Sequence, residues 1–257
     1  MWKRAADARH KSKELANSLD IQIEPSAGPG FTPPLAPLGH TLALVAVIVA
    51  VAITGTLLQY AAPQLSAVRP EGPRIARIAS VYLPVLLVNG LLVLYVARLF
   101  RPRNVLPDLL GRRFRNLADA LVGVCHAALA LALIVAIETL TRPLFAGRNA
   151  AVSALLPSTE AERLTWLLVA LAVGFCEEVV YRGYLQVQLS AFTHSPAWGL
   201  VLQAVLFGLA HLEQGLGAAL RIGVYGLILG QLARQRASLL PGIACHVAID
   251  VASGLWR

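Results

Sequence analysis

Leu164-Thr-Trp-Leu-Leu-Val-Ala-Leu-Ala-Val-Gly-Phe-Cys-Glu-Glu-Val-Val-Tyr-Arg-Gly183 is the stretch on which the fold turns. From Leu164 to Cys176 it carries one hydroxyl, no charge and no proline. Crossing about 30 Å of hydrocarbon takes roughly 20 mostly apolar residues in a helix, because only a helix or a closed barrel satisfies every backbone group internally. Barrel strands alternate apolar and polar residues, whereas this run is continuous. The segment therefore reads as a transmembrane helix that carries two carboxylates and a guanidinium into the bilayer.

The rest of the chain agrees with that solvent. Of 257 residues 57% are hydrophobic and only 14% are charged, and the mean hydropathy is +0.65, far from a soluble globular domain. Seven spans are expected, roughly 41 to 60, 78 to 97, 118 to 140, 164 to 186, 197 to 211, 215 to 232 and 238 to 256. The predicted fold class is all-α: a polytopic transmembrane helix bundle of about seven spans, or eight if one is missed. Composition divides the chain into three parts: residues 1–40, a flexible basic tail; residues 41–150, accessory transmembrane helices; and residues 160–257, a catalytic bundle. The tail opens with Lys3, Arg4, Arg9, Lys11 and Lys13 and turns Pro- and Gly-rich from Pro25 to Gly39, a composition that buries no core. No apolar core of a signal peptide follows within the first thirty residues, so the tail reads as retained.

A formal net charge of +8 raises nucleic acid as a partner, but the arginines cluster between apolar runs, where membrane topology puts them. No nucleic-acid partner is expected. Counting Lys and Arg over alternate inter-span segments gives fourteen on the tail's side and eight on the other. The positive-inside bias then places the N-terminus in the cytoplasm and, with seven spans, the C-terminus outside; an eighth span would reverse the latter. The expected location is the cell (inner) membrane. Cys125, Cys176 and Cys245 all lie in apolar runs with no zinc-knuckle or disulfide spacing, so they read as small hydrophobes.

Charge at membrane depth is where function is sought. An ionisable side chain at the bilayer centre costs about 2.5 to 3.5 kcal/mol on insertion scales, so Glu177, Glu178 and Arg182 unpaired at full depth would cost on the order of 8 kcal/mol. They need partners or water. Residues four apart share a helix face, with a Glu preceding its cation in the better order, so Glu178 and Arg182 neutralise each other. Glu177 is turned about 100° away. A carboxylate left there without a local cation suits a general base. The fifth span ends in Phe207-Gly-Leu-Ala-His211, and the seventh contains His246-Val-Ala-Ile-Asp250, whose spacing lets Asp250 meet His246 and orient its imidazole. Glu177, His211 and His246 on three helices could activate a water directly. They could equally hold a divalent metal such as zinc that does so.

Other polar groups carry simpler readings. His126, Asn89, Gln203 and Glu138 read as hydrogen-bonding groups between helices. Arg221 reads as snorkelling or paired, and Phe207 as packing around the histidine. Six ionisable groups in under 75 residues, namely Glu177, Glu178, Arg182, His211, His246 and Asp250, exceed what structural glue requires.

Taken in order, Glu177-Glu178-x-x-x-Arg182, Phe207-x-x-x-His211 and His246-x-x-x-Asp250 resemble the three motifs of the CPBP family of intramembrane endopeptidases, the CAAX prenyl protease type 2 and bacteriocin-processing group, also called Abi. The resemblance covers about residues 160 to 257. It implies endoproteolysis in the membrane on a peptide or membrane-protein substrate, with Glu177 and His211 activating water, and His246 with its partner stabilising the tetrahedral oxyanion. Glu178, Arg182 and Phe207 would support the site. Where many relatives carry Asn, this chain has Asp250, an anion suited to orienting His246 rather than to donating to an oxyanion. The family is described both as metalloprotease and as working by a metal-free glutamate mechanism, so Glu177, His211 and His246 stand as the ligand set for a metal. Neither H-E-x-x-H nor G-x-G-D occurs, and the rhomboid-like Val251-Ala-Ser-Gly254 lacks its first glycine.

The Ala- and Arg-rich, Met-poor composition points to a bacterium of high genomic GC, where peptide maturation or bacteriocin immunity fits better than prenyl-protein processing. The alternative from another class is a non-proteolytic membrane protein that uses the same polar cluster as a proton or ion relay or a binding site. One geometric tension accompanies either reading. His211 ends a short fifth span, so vertical helices would separate it in depth from Glu177 and His246. Either the fourth helix is long and tilted, or Ser190 to Pro196 dips into the bilayer.

Overall fold

The computed structural model describes residues 33–66, 78–101, 105–110, 116–141, 143 and 156–255, with 59–66 by backbone alone. The first 32 residues of the expected basic tail, and Arg257, lie outside them. Among the described residues every regular element is helical. We number them α1 (Leu38–Ser66), α2 (Ile78–Phe100), α3 (Val105–Leu109), α4 (Leu117–Thr141), α5 (Glu160–Thr193), α6 (Pro196–Leu209), α7 (Leu216–Arg236) and α8 (Leu240–Leu255).

Five of these, α1, α2, α4, α5 and α7, are long and apolar enough to cross a membrane. The expected fifth and seventh spans are α6 and α8, of 14 and 16 residues, below the roughly 17 to 25 residues of a full crossing. Among the described residues the roughly seven expected spans are five long helices and two short ones. The two short helices carry His211 and His246.

α5 explains why. It runs for 34 residues without interruption. A capping box opens it: the Thr159 hydroxyl accepts from the Glu162 amide, and the Glu162 carboxylate accepts from the amides of Thr159 and Ser158. It ends at His194, whose left-handed φ of 51° reverses the chain. Ser195 then caps α6 by accepting from the Trp198 amide, and Pro196 takes the first helical turn. The segment Ser190 to Pro196 is thus the apex of a tight helical hairpin and not a separate dip. Its arms touch closely: a Cβ on Gly199 would come within 2.0 Å of the Ser190 hydroxyl.

The hairpin resolves the depth of His211. Back from Thr193 to Glu177 the chain rises 16 residues, about 24 Å, and forward from Pro196 to His211 it rises 15, about 22 Å. Both residues therefore lie at one level. α8 runs antiparallel to α5 in a fixed register, with Gly254 against Trp166, Val247 against Gly174 and Gly242 against Glu178. Trp166 Nε1 also donates to the Asp250 carbonyl at 2.9 Å. This register brings His246 to the level of Glu177. Small residues allow these approaches, as is usual where helices associate without a hydrophobic drive.

α1 is tied into the bundle. The Gln188 carboxamide, fully buried, accepts from the amides of Leu35 and Ala36, and donates to the Ala36 carbonyl and the Thr41 hydroxyl. The last residues of the expected tail are thereby held against α5, and α1 begins at Leu38. Between α4 and α7, Glu138 accepts from Arg221 Nε at 3.0 Å and from the Tyr225 hydroxyl at 2.6 Å, and Arg236 pairs with Asp119. Arg221 is paired, and Glu138 acts between helices as its sequence context suggests. Gln203 donates to the Gly226 carbonyl across helices, but Asn89 and His126 bond carbonyls of their own helices.

Candidate active site

The Glu177-Glu178 motif lies where α5 changes its winding. Residues Glu178–Leu185 form a π-helical segment inside α5, a rare i→i+5 arrangement that concentrates at functional sites. All eight residues of that segment are buried. The sequence holds no proline or glycine pair that would announce it, so spacing read on an ideal α-helix misses it. The Glu178–Arg182 pairing survives the change, with Nη1 of Arg182 2.8 Å from Oε1 of Glu178 and both side chains inaccessible.

Glu178 has a second partner that the sequence did not suggest. Nδ1 of His246 lies 3.0 Å from the same Oε1. A carboxylate only accepts, so Nδ1 carries the proton and Nε2 is turned the other way. Gly242 makes room for this contact: a Cβ there would stand 2.9 Å from Oε2 of Glu178. The group that hydrogen-bonds the imidazole is therefore Glu178, across helices. Asp250, one turn along on α8, stands further off, with Oδ2 3.7 Å from Nε2 of His246.

Nε2 of His246 faces both remaining acids. Glu177 Oε2 is also 3.7 Å from it. That oxygen is buried without a hydrogen-bond partner among the described residues. Two carboxylates at 3.7 Å from one nitrogen are too far for direct hydrogen bonds and near enough for charge attraction. The two adjacent glutamates thus differ as helical geometry predicts. Glu178 is locked between a guanidinium and an imidazole, while Glu177 is held only at a distance by His246.

Phe207 organises the other side. Its ring centroid lies 4.9 Å from that of His211, 5.8 Å from His246 and 4.9 Å from Tyr181, all edge to face, and the Arg182 guanidinium sits 4.2 Å above it. Edge-to-face and cation–π contacts of this kind give specific orientation as well as area. The Phe207 carbonyl also accepts from Nδ1 of His211 at 2.7 Å. His211 therefore also keeps its Nε2 available. Glu177 and Asp250 both stand near His246, and the Phe207 ring packs against both His246 and His211.

Could these residues hold the divalent metal that the motifs raise? Among the described residues no three His, Cys, Asp or Glu side chains are grouped as metal ligands. His246 commits Nδ1 to Glu178, which leaves only Nε2 facing Glu177 and Asp250. As placed, these described residues do not form a preformed three-ligand metal site. Cys176 and Cys245 are buried free thiols and Cys125 is an exposed one.

Residues 159–252 match the family model described as Rce1-like, type II CAAX prenyl endopeptidase. No match was found among curated proteins or solved structures. The matched region spans α5, α6 and α7 and most of α8, and contains every side chain of the cluster described above. The chain is thus a multi-pass membrane protein, all-helical among the described residues, whose residues 159–252 are similar to the Rce1-like family of type II CAAX prenyl endopeptidases.

Proposed function

We propose that the protein is an intramembrane endopeptidase in which Glu177 activates a water to attack a membrane-proximal peptide bond. The observation that carries the reading is the spacing at His246 Nε2, with Glu177 and Asp250 each 3.7 Å away in a buried cluster. A water held there meets a carboxylate that has no guanidinium partner. Glu177 takes its proton as the oxygen adds to the amide carbon, giving a tetrahedral oxyanion. The proton then passes to the leaving amine as the C–N bond breaks, so that one water and one amide yield an acid and an amine.

Each neighbour has a part in this sequence. Glu178 fixes His246 through Nδ1, and Arg182 holds Glu178, so both act as positioning residues. His246, protonated on both nitrogens among the carboxylates of Glu178, Glu177 and Asp250, donates its Nε2–H to the developing oxyanion, a contribution of a few kcal/mol in acyl transfer. His211, held through Nδ1 by the Phe207 carbonyl, keeps Nε2 free to exchange a proton with that water. The substrate is a peptide or a membrane protein presented at the bilayer. In a bacterium this reading favours peptide maturation or bacteriocin immunity over prenylated chains.

The test is cleavage of a quenched peptide library by purified wild-type protein, Glu177→Ala and His211→Ala. Activity in the wild type alone supports the reading. Equal activity in all three overturns it, and Glu177-dependent proton flux in liposomes would reassign the cluster to a relay.

A further inference from the structure

Tyr181 belongs to the aromatic group around Phe207 but has no task in the cleavage scheme above. It lies in the π-helical segment of α5 and is 5% exposed. Its ring stands edge to face on Phe207, with centroids 4.9 Å apart. Other tyrosine hydroxyls of the bundle are engaged: Tyr184 with Thr41 and Gln188, Tyr225 with Glu138, and Tyr95 with His40. The Tyr181 hydroxyl forms no hydrogen bond among the described residues, yet its oxygen keeps accessible surface. A hydroxyl held inside a bundle without a partner is unfavourable unless something outside the chain completes it.

Its place on α5 says what that could be. The four-residue offset that joins Glu178 to Arg182 in this segment also puts Tyr181 on the helix face that carries Glu177. Oε2 of Glu177 is likewise without a hydrogen-bond partner among the described residues. The charges of Glu177, Arg182 and Glu213 all act on the Tyr181 hydroxyl, and the Phe207 ring it touches also packs against His211 and His246. At neutral pH a phenol is protonated and can donate. Next to a carboxylate that takes a proton from water, the atom such a donor serves is the carbonyl oxygen on which negative charge develops.

We propose that Tyr181 is a further catalytic residue, whose hydroxyl donates a hydrogen bond to the carbonyl oxygen of the cleaved amide as that oxygen becomes the oxyanion. It acts alongside Nε2–H of His246, and the assignment rests on the endopeptidase reading. The phenol shares its proton without transferring it, so the balance of one water and one amide is unchanged. A hydroxyl with no partner in the protein has a distinctive signature. Its removal takes nothing from the fold but slows the reaction.

Tyr225→Phe supplies the contrast, because its hydroxyl donates to Glu138 at 2.6 Å, away from the cluster. Purified wild type, Tyr181→Phe and Tyr225→Phe are compared for cleavage of one peptide taken from the quenched library and for thermal unfolding. In Tyr181→Phe, kcat should fall about 10²-fold with KM little changed, while the unfolding midpoint equals or exceeds that of wild type. Tyr225→Phe should show the reverse, a lower midpoint with wild-type kcat. A phosphonamidate peptide that mimics the tetrahedral intermediate should bind Tyr181→Phe more weakly by the same factor as the loss in kcat/KM, which a merely structural role would not produce. Wild-type kcat in Tyr181→Phe, or a lowered midpoint with unchanged phosphonamidate binding, overturns the assignment alone. Absence of cleavage by the wild type overturns the endopeptidase reading and this assignment with it.

Discussion

Replacing Arg182 by Met removes a charge from the most enclosed ion pair in the molecule. Both side chains of the Arg182–Glu178 pair are inaccessible and their charged atoms stand 2.8 Å apart. Taking away one member of a buried pair leaves the other uncompensated, which costs about 3 to 5 kcal/mol. Loss of the guanidinium above Phe207, at 4.2 Å, adds about 1 to 2 kcal/mol in a desolvated setting. His246 still donates to Glu178 and offsets part of this, so a net loss of about 3 to 5 kcal/mol is expected for Arg182→Met. Glu178→Gln should lose a comparable amount, because it strands the guanidinium. The double variant Glu178→Gln/Arg182→Met buries no unpaired charge, and its loss should fall short of the sum of the singles by about 2 to 3 kcal/mol. Reversible denaturant unfolding of the four proteins in one detergent measures all these terms. Strict additivity, or a loss under about 1 kcal/mol in Arg182→Met, refutes the argument that the pair is structural.

Four further outcomes follow from the same geometry. Glu177→Gln should lower the cleavage rate by about 10² to 10⁴ and leave the unfolding midpoint near wild type, whereas Glu178→Gln should lower both; the reverse pattern would exchange the two glutamates' roles. Gly199→Val should destabilise the α5–α6 hairpin by at least 1 to 3 kcal/mol, since its first carbon meets Ser190 at 2.0 Å, and thermal unfolding would register it. Glu138→Ala removes the acceptor that Arg221 Nε and the Tyr225 hydroxyl share and should cost about 1 kcal/mol, measured against Glu138→Gln, which keeps an acceptor. Gln188→Ala should speed hydrogen exchange at the amides of Leu35 and Ala36 while leaving α8 protected; unchanged exchange there would show that the latch on α1 is not formed by Gln188.

Much of this site is legible in one dimension because its chemistry is costly. Glu177, Glu178, Arg182, His211, His246 and Asp250 are conspicuous among apolar residues, since a charge at membrane depth persists only where it is paired or used. The Glu178–Arg182 contact is visible too, since i,i+4 partners meet within a single helix. The His246–Glu178 bond is of another kind. It depends on the α5–α8 register and on a missing side chain at Gly242, and nothing local to either motif encodes it.

Hydropathy alone therefore determined that the chain is a multi-pass helical protein, and motif spacing picked out the polar side chains that the fold gathers. Both are local properties, written within one or two turns of a helix. Tertiary structure decided that Glu177 and His211 share a level, because the hairpin at His194 has arms of nearly equal length. It also decided that His246 is held by Glu178 with Asp250 further off, and that the Arg182 guanidinium covers the Phe207 ring. Those facts arise from how one helix seats against another, where a few ångströms of register separate a hydrogen bond from an empty gap, and no window along the sequence contains both partners.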